Sequence, residues 1–586
     1  MSSLTSNILA EQQLGEFKKI SSNADADEEL PAPPHSRTLT DKKGFVIFGI
    51  LMLVFLPHLI YTLAKSDIRR LAHGVDSCGN LCGVTNAKIS GIYCSGQDYS
   101  NQSYEQFLIS ENKQIRVCTS ECPFTRIQKG KECIDEDGNI RNNRIYTAVS
   151  LVLDGMETCR SNWWKFLLSM AITIALTFST LVALRYIPGA VVWSIIVFSI
   201  AVLIVGTIVL WYPYSVLNNS DDIREVQYTI SEDLIRVLFV TAIVWTVITL
   251  NLIIVLIVLF KKISLVVQLY KETAKVLAAL PLMVFIPVLI TLLQIVVLIA
   301  FVTTTVWMMT GRELYKEGEN TYRYEMNGVM VFTVIFNFVI TCWTLRFFAG
   351  IQHMVISGSV AAWYFAKNKQ YLDSPICTSF CNAMNFHLGT VAFGSFILTL
   401  FAVFKAILRA CFRNACCRCV TTVYCSTVEV ILKFLSDNSF IETAIHGQSY
   451  FRSAKRVTKL LISNAASVTA INCVGDFVLM MIGFIVTVVA TGISFALFMN
   501  AEKGTWILPV VICLIVNIII ISLTFSVFQI IIDTLFICFC EDSVINDGTS
   551  RPYCMSRGLM EFVENSKKLN GNENTQQETE NYDSKM

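Results

Sequence analysis

The fold class this sequence predicts is all-α: a polytopic transmembrane helical bundle of about ten spans with a disulfide-bearing outer loop. Three observations predict it. About nine apolar stretches run without interruption, mostly for 20 to 28 residues, and a bilayer core about 30 Å thick needs roughly 20 residues of helix at 1.5 Å each. Charged residues make up 16% of the chain against 54% hydrophobic, below the roughly 25% charge of an average soluble domain. The one large hydrophilic insertion holds seven of the 20 cysteines.

Residues 1–43 are polar, with the acids Asp25, Asp27, Glu28 and Glu29 followed by Pro31, Pro33 and Pro34. Such a composition buries too little apolar surface to fold alone and reads as a disordered cytosolic tail. The first transmembrane helix occupies residues 44–64 and has no small-residue cleavage site, so it is expected to be an anchor, not a signal peptide. Further spans fall at about 166–185, 189–212, 237–260, 283–309, 328–350, 387–409, 476–499 and 505–530, within a transporter core expected over 166–540.

Short basic connections mark the cytosolic side. They carry Lys42 and Lys43, Arg185, Lys261, Lys262, Lys271 and Lys275, and then Arg452, Lys455, Arg456 and Lys459, which places the amino terminus inside. The two N-glycosylation sequons, at Asn101 and Asn218, fall in loops that the same rule puts outside. The outer loop over 65–165 contains Cys78, Cys82, Cys94, Cys118, Cys122, Cys133 and Cys159. An oxidising compartment favours disulfides there; zinc is the competing reading for the pairs spaced four apart, and the odd count leaves one thiol over. Six paired cysteines allow 15 connectivities, among which sequence does not choose.

Nine spans would leave the carboxyl terminus outside, yet residues 541–586 have the composition of a cytosolic tail. A tenth crossing is therefore expected, at 419–440 in preference to 351–366. On that choice Cys411, Cys416, Cys417 and Cys419 lie near the outer face; on the other they would be cytosolic and open to palmitoylation.

Six blocks of residues resemble the choline transporter-like family, solute carrier family 44. They are GVDSCGNLCG (Gly74 to Gly83) with CTSECP (Cys118 to Pro123), CWTLRFFAGIQHMVISGSVAAWYF (Cys342 to Phe365), HLGTVAFGS (His387 to Ser395), AIHGQSYFRSAK (Ala444 to Lys455), INCVGDFVL (Ile471 to Leu479), and IIDTLFICFCEDSVINDGTSRPYCM with LMEFVENSKK (Ile531 to Lys568). The resemblance implies a ten-helix carrier of choline and ethanolamine with both termini cytosolic, in the plasma membrane or a mitochondrial or other organellar membrane. Arg346 departs from the family pattern, which has an acidic or neutral polar residue at that point.

Choline is a quaternary ammonium with no N–H donor, so aromatic faces recognise it and one polar group holds its hydroxyl. Trp343, Phe347, Gln352, Trp363 and Tyr364 are the candidate substrate residues. Trp and Tyr also anchor helices at the membrane interface, and the small residues Ser357, Gly358, Ser359, Gly389, Gly394 and Ser395 suit close helix packing or unwound segments. Ionisable residues inside apolar spans are functional candidates: His58, Asp476 and Asp533 could exchange a proton for the cation, with His387, Asp476 and Asp533 reading as helix-terminal. Arg346 is expected either to pair with a carboxylate, Asp476 or Asp533 by type, or to reach a water-filled cavity.

A secondary carrier, working as uniport or in exchange for protons, is the reading these features favour. A net charge of +1 and the lack of phosphate-binding glycine loops argue against nucleic-acid and nucleotide chemistry. A membrane enzyme of lipid headgroups would need paired acids within one helix or a motif such as HExxH, and none occurs. Neither a cofactor nor a metal is implied; the expected partners are a small cation and membrane lipid. The alternative is a cell-surface receptor or adhesion protein in which transport is vestigial.

Overall fold

A computed structural model describes residues 37–560 except 90, 111–112, 121–125, 130–131, 136–157, 220–231, 317–321, 367–368, 370–371, 373, 413–414, 500–505 and 547–551. Ten of its helices are long and apolar enough to cross a membrane. They are α1 (Lys42–Ala64), α2 (Trp163–Tyr186), α3 (Pro188–Asn219), α4 (Glu232–Ala279), α5 (Phe285–Met309), α6 (Gly328–Phe365), α7 (Leu388–Cys411), α8 (Ala415–His446), α9 (Asp476–Phe498) and α10 (Ile507–Ile545). The span in α8, Cys417–His446, is the tenth crossing. Residues 351–366 belong instead to α6, a single helix of 38 residues.

The apolar side chains divide between lipid and core. Leu53, Ile60, Phe178, Ile208 and Val258 are more than half exposed on the flanks of α1 to α4, where lipid tails replace water as solvent. Between helices, hydroxyl and amide contacts act where the hydrophobic effect gives little drive. Ser169 on α2 meets Ser494 on α9 at 2.7 Å, and Thr173 Oγ1 donates to Asn517 Oδ1 on α10 at 2.7 Å. Close approach is built on glycine in α7. A Cβ at Gly389 would lie 2.4 Å from the Asp41 carbonyl oxygen, and one at Gly394 would lie 2.7 Å from Phe440 and Tyr450.

Three helices outrun the bilayer: α4 has 48 residues, α6 has 38 and α10 has 39. Their carboxyl-terminal ends stay buried because they pack on one another and on the amphipathic helix Tyr450–Ser463. This revises the expected end of the core at 540, since α10 runs to Ile545 and the following segment folds back with Met555 and Leu559 buried.

Two spans are entered through π-helical turns, Ala383–His387 leading into α7 from the helix Pro375–Asn382, and Ile471–Gly475 leading into α9 from Ala465–Ala470. His387, Asp476 and Asp533 therefore lie within continuous helical runs, not at helix ends as their position in the sequence suggests.

Between α1 and α2, β1 (Tyr104–Ser110), β2 (Lys113–Thr119), β3 (Arg126–Lys129) and β4 (Glu132–Asp135) form one sheet in the order β2-β1-β4-β3. Disulfides Cys78–Cys94 and Cys82–Cys118 brace the loop before it. The hairpin of β5 (Glu313–Lys316) and β6 (Tyr322–Glu325), between α5 and α6, clasps that loop. Tyr322 N donates to the Ser77 carbonyl at 2.7 Å and the Tyr324 hydroxyl to that of Gly79 at 3.0 Å. Arg70 lies over the Tyr324 ring at 4.3 Å.

Candidate functional site

The expected aromatic residues occupy two separate places. Trp343 donates from Nε1 to the Ala392 carbonyl at 3.1 Å, Phe48 of α1 meets its ring edge-on at 4.7 Å, and Phe347 stacks on Phe48. They seal the seam of α1, α6 and α7. Trp363 lies two turns before the segment that carries Lys369, whose ammonium sits 3.7 Å from its ring centre, and the Tyr364 hydroxyl donates to Asp542 Oδ2 at 3.1 Å. Burial lowers the Lys369 pKa, with Glu272 acting against that shift. Twenty residues of helix separate the two tryptophans by about 30 Å, so the structure does not bring them into one cage. Gln352 alone of the five is half-buried beside another polar group, its Nε2 lying 3.4 Å from Ser526 Oγ on α10.

Ser526, Gln529 and Asp533 follow one another at helical spacing on one face of α10, leading from Gln352 towards the carboxyl-terminal end of that helix. Gln529 Nε2 donates to Asp476 Oδ1 at 3.2 Å, and Asp533 feels the charges of both Asp476 and Asp437. Three helices thus contribute one carboxylate each to a shared electrostatic field, Asp437 from α8, Asp476 from α9 and Asp533 from α10. The π-turn before α9 ends at Gly475, whose carbonyl accepts from the Tyr270 hydroxyl at 2.6 Å. All three acids are partly accessible. None forms an ion pair among the described residues, and Lys433, one turn before Asp437, points outward and is exposed.

The other carboxylates in these helices are neutralised by the protein. Glu429 of α8 accepts from Arg346 Nη2 at 3.1 Å and from Lys405 Nζ of α7 at 2.9 Å. This corrects the expected partner of Arg346, which is neither Asp476 nor Asp533. Glu442 and Glu541 share Arg456, whose Nε lies 3.0 Å from Glu442 Oε1 and whose Nη2 lies 2.9 Å from Glu541 Oε2, while His446 Nε2 lies 3.5 Å from Glu442. Glu442, His446 and Glu541 present metal-ligating atoms within 4.8 Å of one another, but the guanidinium already bridges the two carboxylates. Asp542 accepts from Tyr364, from Asn546 Nδ2 and from the backbone N–H groups of Cys554 and Met555.

Elsewhere the expectations divide. His58 packs edge-on against Phe332 in the first turns of α6, at the opposite end of that helix from the acids. Of the loop cysteines, Cys78, Cys82, Cys94 and Cys118 are paired and Cys159 carries a free thiol, so it is not a disulfide partner; Cys122 lies outside the described residues, as does the Cys133 side chain. Asn101 stands exposed in a turn of the outer loop, and Asn218 is in the last turn of α3, its side chain outside the description. Asp437, Glu429 and Arg37 were missed. The signal for the first two was there: each is an acid inside the segment proposed as the tenth span.

Comparison with known proteins agrees with this architecture. Residues 243–544 match the family model described as plasma-membrane choline transporter. Choline transporter-like protein 1 of Xenopus laevis is 27% identical over an alignment covering 92% of this chain and 94% of the relative. The mouse protein of the same description is 28% identical with the same coverage. Choline transporter-like protein 2 of Dictyostelium discoideum is 27% identical, covering 88% of this chain and 94% of its own length.

Proposed function

Because the chain belongs to the plasma-membrane choline transporter family, we propose that it is a carrier that moves choline, and ethanolamine as a second substrate, down its electrochemical gradient. The observation that carries this reading is the group Asp437, Asp476 and Asp533, three accessible carboxylates on three spans that no basic side chain among the described residues neutralises. A quaternary ammonium brings the compensating charge without needing a hydrogen-bond acceptor. Gln352, Ser526 and Gln529 supply donors and acceptors for the hydroxyl. Trp343, Phe347, Trp363 and Tyr364 hold the helices that frame this route, so their part in substrate affinity is indirect.

Moving one positive charge into a compartment 100 mV negative gains about 2.3 kcal/mol, enough to concentrate choline without a coupled ion. Proton exchange is the second mode, with Asp476 and Asp533 as its carriers; His58 is too far from them to join. The deciding test is uptake of labelled choline by cells with and without the chain, at clamped membrane potential and at two external pH values. Saturable, potential-driven uptake supports the uniport. Uptake that follows the proton gradient at fixed potential supports exchange, and no uptake of either amine above background rejects the carrier.

A further inference from the structure

A cavity of about 210 Å³ opens at the cytosolic end between α6, the helix Pro375–Asn382 and the end of α8. Among the described residues no Asp or Glu lines it, whereas Arg37, Thr378, Ser379, Asn382 and His387 do. Arg37 reaches in from the segment ahead of α1. Its Nη2 donates to the Ala444 carbonyl at 2.8 Å and its Nη1 to His387 Nε2 at 3.2 Å. An arginine only donates, so that imidazole nitrogen accepts. The ring is then neutral and its Nδ1–H faces Thr40 Oγ1 at 2.9 Å, adding no charge of its own to the cavity.

The guanidinium is thus a mostly buried cation that makes no ion pair among the described residues, and its Nε is buried with no acceptor. Burial pulls its pKa below the ordinary arginine value. An uncompensated buried charge is costly. Beside it, the side chains of Thr378, Ser379 and Asn382 make no hydrogen bond within the described residues, and the first turn of the helix that carries them turns the positive end of its dipole towards the same space. We infer that this cavity binds a phosphate group, with Arg37 as the counter-charge and Ser379, Thr378 and Asn382 as hydrogen-bonding partners. The headgroup phosphate of an inner-leaflet lipid and a soluble phosphate monoester present the same chemistry. A choline cation does not fit here, since Arg37 would repel it.

The test uses the full chain, delipidated in a phosphate-free maltoside detergent, with its melting temperature followed in two titrations at constant ionic strength. One adds inorganic phosphate against chloride; the other adds dioleoyl phosphatidylglycerol against a phosphate-free glycolipid. A saturable rise of about 2 °C or more in either titration is expected. A rise with the lipid alone assigns a headgroup, and a rise with inorganic phosphate alone assigns a soluble monoester. Arg37→Gln should abolish the rise, and Ser379→Ala, which leaves the bonds from Arg37 to Ala444 and His387 in place, should raise the half-saturating concentration threefold or more. If Arg37→Gln does not fold, Ser379→Ala decides. The proposal is overturned by no rise in either titration, by an equal response in both variants, or by the finding that Arg37→Gln accelerates choline uptake while phosphate has no effect, which would make the side chain a plug.

Discussion

Helix α8 carries Asp437 and Glu442 towards its carboxyl-terminal end, α10 carries Asp533 and Glu541 towards its own, and the protein treats these two levels differently. Glu442 and Glu541 are buried and share the guanidinium of Arg456. Asp437 and Asp533, five and eight residues earlier on the same helices, act on each other electrostatically and have no basic partner in the described residues. The chain therefore has the means to neutralise an acid at this depth and uses it at one level only. Compensation from within locks helices together; compensation left to a mobile cation makes occupancy depend on that cation. The first level reads as a fastening and the second as a way through.

The largest effect should come from breaking the fastening. Arg456→Met leaves two buried carboxylates without their shared cation, a loss of about 3 to 5 kcal/mol. It should sharply lower the melting temperature and the amount of protein at the cell surface, whatever the substrate. A variant that kept its stability would remove the contrast between the two levels.

Asp533→Asn acts on the other level and should leave surface expression unchanged while lowering the kcat/KM of choline uptake by about tenfold, or about 1.4 kcal/mol. Asp437→Asn should act in the same direction. If both variants take up choline as the parent does, the unpaired acids are not on the route.

A smaller effect is expected at Arg346, where Lys405 continues to neutralise Glu429. Arg346→Gln should cost about 1 kcal/mol of stability and leave the KM for choline alone. A fall in KM would place this cation on the substrate path. The smallest effect should follow Trp343→Phe, which gives up one hydrogen bond to Ala392, worth about 1 kcal/mol, with no change in uptake affinity; a raised KM would return the ring to the substrate site.

The spans were legible because a hydrocarbon slab imposes one rule on every helix, and the tenth crossing followed from the need to bring the tail of residues 541–586 inside. The existence of disulfides was legible too, though not their pairing, which depends on how the loop folds against the β5–β6 hairpin. The site was read less well, for physical reasons. Asp476 and Asp533 look terminal where an apolar run gives way to a charge, yet α10 passes Asp533 and stays buried in a core made by its neighbours. The aromatic block of α6 matched the chemistry of choline, but a helix of 38 residues spreads that block over both ends of the bundle. The partner of Arg346 was legible in principle, since Lys405, Glu429 and Arg346 are each isolated charges in apolar sequence and isolated charges in lipid seek one another.

The π-turn Ala383–His387 spends one residue more than an α-helix needs for the same rise. That surplus is absorbed within the widened turn, so the helices on either side keep the phase they would have in a regular helix. Deleting a single residue within it would narrow the turn to regular winding and leave Thr378, Ser379 and Asn382 facing the space they share with Arg37. The turn is therefore removable without re-aiming the mouth against the membrane body, and any change that followed its deletion would report on the widened turn itself.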